Sequence, residues 1–167
     1  MVNFGADGLT FHDNQVLFSG RTSPFSNFFP AVIKYDHHTF ANSESLFQFR
    51  KAMFAGDTAK ALKIVNSRDP VDAKKIGDSV EVIAEDWLKV ARTIMSETLF
   101  AKYEQNPNLK ELLLSTDNRT IVECNRYDNL WGIGLHVKDI RCHDPANWIG
   151  KNWLGLCLME VRKLFAK

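Results

Sequence analysis

Glu44, Gln48 and Lys51 stand at i, i+4 and i+7 in the stretch TFANSESLFQFRKAMF, residues 39–54. At about 100° per residue, this spacing sets an acid, an amide and an amine within an arc of roughly 60° on one side of a helix. A carboxylate can stabilise a developing cation or, when protonated, give up a proton, and its surroundings decide which. An amine between aromatic side chains loses water and is biased toward its neutral form; Phe47 and Phe54 flank Lys51. Leu46, Phe49 and Met53 fall on the opposite side, and Ser43 reads as the cap. A polar line this narrow suits a helix that is buried on one side and lines a cleft on the other. It equally suits a plain role, with Glu44 favoured by the helix dipole and Lys51 simply exposed.

Other segments also combine aromatics with polar groups. PFSNFF (24–29) packs three phenylalanines into a loop with Asn27, just after Arg21. Asp86–Trp87 opens a long helix. NRYDNLWGIG (125–134) places Asp128 three residues before Trp131, among glycines that let backbone approach a ligand closely. WIGKNWLG (148–155) sets Asn152 ahead of a terminal helix, where backbone N–H groups can meet an anion. Each has a structural alternative: Trp87 as core, Asp128 holding a turn, GKNWLG merely starting a helix.

The elements that must position these residues follow from pattern. Residues 15–19 and 31–35 are short strands separated by the turn-rich RTSPFSNFFP. A helix follows Ser43, and a second follows Asp57. A third is marked by Asp69 as cap, Pro70 at its first position and Gly77 near its end. The longest runs from about Ala84 to Tyr103, with Trp87, Val90 or Ala91, and Ile94 at helical spacing and Pro107 barring continuation. Residues 107–114 make a short helix, 120–124 a strand, and 153–165 the terminal helix. The expected fold is α+β: one helix-rich domain over residues 1–167 with a small β-sheet.

Composition narrows the function classes. With 45% hydrophobic and 25% charged residues, the chain is globular in type. Lys plus Arg is 21 against 20 for Asp plus Glu, so a nucleotide-like ligand is expected to be held by a pocket and not by bulk charge. No apolar run approaches the roughly 20 residues of a membrane span, and MVNFGADGLTF lacks a leader layout. Cys124, Cys142 and Cys157 are odd in number and widely spaced, and the adjacent pairs His37–His38 and Cys142–His143 are poor chelates. No metal, no cofactor and a reducing, cytoplasmic setting are expected.

In order along the chain, PFSNFFP, SE-x-x-F-Q-x-x-K (43–51), DW (86–87), KYEQNPNLKELLLST (102–116), VE (122–123), D-x-x-W-G-I-G (128–134) and G-K-N-W-L-G-x-x-L-M-E-V-R (150–162) resemble the YbiA-like NADAR family. The resemblance runs from about Phe18 to Leu164. It departs at two places: Ser45 stands where the family usually has histidine, and Asp117 where it usually has glycine. Members are N-glycosidases acting on riboflavin intermediates, or hydrolases of ADP-ribose attached to guanine. The resemblance implies an active-site set of Glu44, Trp87, Asp128 and Trp131, with Lys51 as nucleophile.

That set matches the chemistry. Breaking a C–N glycosidic bond creates an oxocarbenium-like centre and a nitrogen leaving group that needs a proton. Lys51 would attack C1 and form a Schiff base while Glu44 shuttles protons; alternatively Lys51 only binds phosphate and water attacks, activated by Glu44 or Asp128. Trp87 and Trp131 would stack on the heterocycle, and Asp128 would bond ribose hydroxyls or act as second carboxylate. Arg21, Asn27 or the amides of 150–152 would meet phosphate, and Phe28, Gln48, Gly132 and Asn152 complete the expected substrate-binding set. The expected partner is a ribosylated nucleotide or ADP-ribosylated guanine, free or in nucleic acid. A module that binds ADP-ribose without cleaving it is the alternative that Ser45 supports.

Overall fold

The structure, a computed structural model, describes residues 8–167, so the leader reading of the first seven residues lies outside the described residues. Two compact units are present: residues 27–107, and residues up to Ser26 together with 108–167.

In the 27–107 unit, β3 (Pro30–Tyr35) and β4 (His38–Asn42) form an antiparallel hairpin. Its two-residue turn, Asp36–His37, takes φ of 46° and 64°. Both residues are left-handed, the turn geometry that matches the twist of paired strands. No glycine marks it, which is why β4 escaped the sequence pattern. β4 runs straight into α1 (Ser43–Phe54), against which α2 (Thr58–Asn66), α3 (Pro70–Asp78) and α4 (Ala84–Gln105) pack.

The expected starts of α2 and α3 are present: Asp57 accepts from Lys60 N at 3.0 Å, and Asp69 from Val71 N at 2.8 Å. Helix α4 continues two residues past the expected Tyr103. The core joins Ile33 and Phe40 of the hairpin to Leu46, Phe49 and Ala52 of α1 and to Ala61, Ile64 and Ala73. Each large apolar side chain there contributes about 1.5–3 kcal/mol. Two expectations for α1 are corrected. Its cap is Asn42, whose Oδ1 accepts from Ser45 N at 2.8 Å, and not Ser43. Met53 is exposed, because the buried face shifts once the chain turns away at Ala55.

In the other unit, β1 (Leu9–Phe11) pairs antiparallel with β2 (Gln15–Phe18), which pairs parallel with β5 (Thr120–Glu123). Helix α5 (Pro107–Leu114) precedes β5. After β5 come the glycine-rich loop, two short 3₁₀ turns (Ile140–His143, Pro145–Asn147) and α6 (Trp153–Phe165), which packs on β5. Gly155 permits that approach, since a Cβ there would lie 2.1 Å from the Ile121 carbonyl oxygen. Leu17, Val122, Cys124, Ile133, Leu135 and Cys142 form one core cluster, and the three cysteines are buried. Among the described residues, no helix is long and apolar enough to cross a membrane.

Lys102, in α4, is wholly buried, and burial pushes its ammonium down to about 7 from 10.5. Below about pH 7 both folded and unfolded chains hold the proton, and the cost of the buried charge is fully present. Above it the folded chain is neutral while the unfolded one stays charged, so stability rises with pH. We expect urea unfolding to show a gain on the order of 1 kcal/mol between pH 6 and 8.5, and Lys102→Met to flatten most of that slope.

Candidate active site

The first turn of α1 is tied down from two sides. Asn27 accepts from Glu44 N through its carbonyl at 3.0 Å, and its Oδ1 accepts from the Ser43 hydroxyl at 2.8 Å. Its Nδ2 lies 3.4 Å from Met95 Sδ in α4. Asn27 is therefore occupied in placing the helix. Ser45 donates its hydroxyl to Asn42 Oδ1 at 2.9 Å, reinforcing the cap. Where the family usually has histidine, this chain thus uses the side chain to close the helix start.

Glu44 and Gln48 are only 7% and 5% exposed. Gln48 Nε2 donates to Glu44 Oε1 at 2.8 Å, so the amide fixes the carboxylate one turn before it. Another turn on, half-buried Lys51 donates from Nζ to the Gly77 carbonyl at 3.0 Å. Trp87 sits between Phe47 and Phe54, with ring centroids 5.5 and 5.7 Å away. The Lys51 ammonium is 5.9 Å from the Trp87 ring centroid. Burial pushes the Lys51 ammonium below the ordinary lysine range; Asp78 and Glu44 pull it up and Lys74 pushes it further down. Desolvation outweighs the neighbouring carboxylates, leaving an amine more easily neutralised than a surface lysine. The sequence put Glu44, Gln48 and Lys51 on one face and Trp87 in the site; the structure gathers all four. It adds Gly77, which sequence reading had taken only as a helix-end marker.

The loop after β5 is built separately. Asp128 Oδ1 accepts from Leu130 N at 2.9 Å and Trp131 N at 2.8 Å, closing a turn. Among the described residues its Oδ2 has no donor. Trp131 is half-buried and edge-on to Trp153 at 5.6 Å. A Cβ on Gly132 would lie 3.0 Å from the Asp128 carbonyl, so a side chain there would make the loop give by a few tenths of an ångström. Asn152 is spent on the fold: Oδ1 accepts from Glu123 N at 3.0 Å and Nδ2 donates to Ile121 O at 2.9 Å. The amides of Gly150, Lys151 and Asn152 donate to Ile133, Asn129 and Gly132 carbonyls. Asn152 and these amides thus hold the loop and the start of α6 together. Arg21 is exposed and Phe28 half-buried. Asp117 takes φ of 49°, in the left-handed region that glycine adopts without strain. Among the described residues, no cluster of three or more His, Cys, Asp or Glu is arranged to hold a metal ion.

The NADAR domain model matches residues 11–166. This chain belongs to the NADAR family. Its relatives include protein irg-1 of Caenorhabditis elegans, 32% identical, covering 89% of this chain and 78% of the relative. N-glycosidase R617 of Acanthamoeba polyphaga mimivirus is 32% identical over 83% of this chain and 85% of its own. N-glycosidase YbiA of Escherichia coli is 35% identical over 85% of this chain and 81% of its own. The NMR structure of E. coli YbiA matches this NADAR chain with a TM-score of 0.76 at 30% identity, covering 96% of this chain and 89% of that one. The mixed α/β fold is accordingly that of YbiA.

Asp128 offers a separable test of turn against chemistry. Asp128→Asn keeps Oδ1 for both amides, and we expect its stability within about 0.5 kcal/mol of wild type. Asp128→Ala leaves two amides without their acceptor and should cost about 1 kcal/mol or more in urea unfolding.

Proposed function

We propose that this chain is an N-glycosidase that hydrolyses the C1–N bond of a ribosylated heterocycle, with Glu44 and Lys51 performing the chemistry. The observation that carries this reading is a nearly buried carboxylate and a desolvated amine on one helix, the first held by Gln48 and the second beside Trp87. The names of the relatives R617 and YbiA support the reaction type.

In the proposed sequence, neutral Lys51 attacks C1 as the C–N bond breaks, and Glu44 in its acid form protonates the departing nitrogen. The sugar ring opens to a protonated Schiff base between C1 and Nζ. Water then adds to C1, carboxylate Glu44 takes its proton, and the amine leaves, returning free sugar and neutral Lys51. An ion pair with Glu44 would suppress the nucleophile, but burial dominates over that pull. Trp87 supplies a face for the base, a contact worth about 1–3 kcal/mol. For Asp128 we propose bonds to ribose hydroxyls through Oδ2, and for Trp131 a stacking role. The substrate class is a ribosylaminopyrimidine phosphate or ADP-ribosylated guanine. In favour of cleavage over binding alone, Gln48 orients Glu44 without a histidine, and Ser45 serves the cap.

Mass spectrometry of reactions with both substrate classes tests this. Wild type should release free base, and borohydride should trap a sugar adduct on Lys51. Glu44→Gln should slow release by about 10²–10⁴-fold. Lys51→Ala should abolish the adduct. Binding of ADP-ribose with no base released from either class would overturn the reading.

A further inference from the structure

Gly77, near the end of α3, meets Lys51 and Gln48 of α1 through different parts of its own backbone. Its carbonyl accepts the Lys51 ammonium at 3.0 Å and also the Val80 amide at 3.2 Å. It is one of the last carbonyls of the helix, the end at which a cation is favoured. Its missing side chain makes room for Gln48: a Cβ would lie 1.9 Å from Gln48 Oε1, 2.4 Å from Cδ and 2.8 Å from Cγ. No rotamer adjustment at the tip alone clears all three atoms; the whole side chain must leave.

Gln48 has little choice of posture as it stands. Its Nε2 is committed to Glu44, while its Oε1 is buried against Gly77 with no hydrogen-bond donor. An unmet buried acceptor is costly and is kept only where packing over-determines it. Here the amide is clamped between the carboxylate it orients and the bare Cα of Gly77. Turning it over would bring Oε1 toward Glu44, oxygen against oxygen.

We propose that Gly77 is the positioning residue of this active site, setting Glu44 through the seat it gives Gln48 and Lys51 through its carbonyl. The inference rests on the proposed roles of Glu44 and Lys51. Glycine costs roughly 1 kcal/mol against alanine inside a helix, and its presence in α3 follows from the space that Gln48 takes. A neutral Lys51 that keeps one N–H on the Gly77 carbonyl has its lone pair directed away from that oxygen. The groups that face the Lys51 ammonium are Asp78 and Lys74 of α3 and Glu44 of α1, and Gly77 stands among them.

Three variants test this: Gly77→Ala, Gln48→Ala and the two combined. The readouts are the Lys51 titration by NMR of lysine labelled at Cε, the exchange of the Gln48 side-chain amide protons, and kcat against KM. In Gly77→Ala, the Gln48 side chain forced out by the new methyl should push the Lys51 ammonium off the Gly77 carbonyl and into water, raising its midpoint by at least about half a pH unit. Gln48 amide exchange should quicken, and kcat should fall about tenfold to a hundredfold with KM changed little. Gln48→Ala should lower kcat similarly while leaving the Lys51 midpoint in place. The combined variant removes the clash, so the Lys51 midpoint should return to wild type while kcat stays low. A folded Gly77→Ala protein with an unchanged Lys51 midpoint and protected Gln48 amide overturns the proposal. Should Gly77→Ala not fold, the combined variant decides: folding with a wild-type midpoint supports it, and failure to fold overturns it. A wild-type protein that releases no base would sink the glycosidase reading alone, because the titration and exchange are read without substrate.

Discussion

The hydrogen bonds that start α1 are the constraint on which the reactive face depends. Asn27 and Asn42 meet the helix at its first turn, one through a backbone carbonyl and a side chain, the other through a side chain alone. Between them they satisfy the amides of Glu44 and Ser45, which a helix end otherwise leaves open. They also fix the rotation of the helix about its own axis. That rotation sends Leu46 and Phe49 into the core and turns Glu44, Gln48 and Lys51 to the other side. A turn of a few tens of degrees would bury the amine fully or release the carboxylate to water.

Once the helix is placed, solvent exclusion determines what its polar groups can do. Lys51 is half-buried beside an aromatic cluster of Phe47, Phe54 and Trp87, and this removes water without removing access. The carboxylates of Asp78 and Glu44 oppose the loss of its charge but do not cancel the effect of burial. Lys102 carries the same effect to its limit, fully enclosed in α4 and displaced further from the ordinary range. Both lysines obey one rule: the lower the local polarity, the weaker the hold on the proton.

Helix boundaries were the most legible part of the sequence, because their signals are local. Asp57, Asp69 with Pro70, and Pro107 marked starts that the structure keeps. The polar line on α1 was legible for the same reason, being a matter of angle. What escaped depended on partners distant in sequence. Strand β4 was hidden by a turn whose left-handed residues are Asp36 and His37, with no glycine to announce it. β1 is three residues long and exists through pairing with β2. Asn152 looked available beside two glycines, yet its amide bridges to Ile121 and Glu123, some thirty positions earlier. Met53 fitted the apolar side by angle and faces solvent, while its neighbours Lys51 and Phe54 in the same turn meet Gly77 and Trp87.

The parallel pairing of β2 with β5 has a bearing on how the chain is made. Gln15 aligns with Thr120 and Phe18 with Glu123, so in sequence the whole 27–107 unit falls between two strands that pair with each other. That unit is contiguous and can gather its own core as soon as it leaves the ribosome. The other cannot: β2 must wait for β5 and for α6, the last helix of the chain. Closing such a long loop is unfavourable in an open coil, and the cost falls when the intervening segment is already compact. Synthesis from the N-terminus therefore imposes an order, with the Glu44–Lys51 helix assembled before the Asp128 loop has a sheet to grow from.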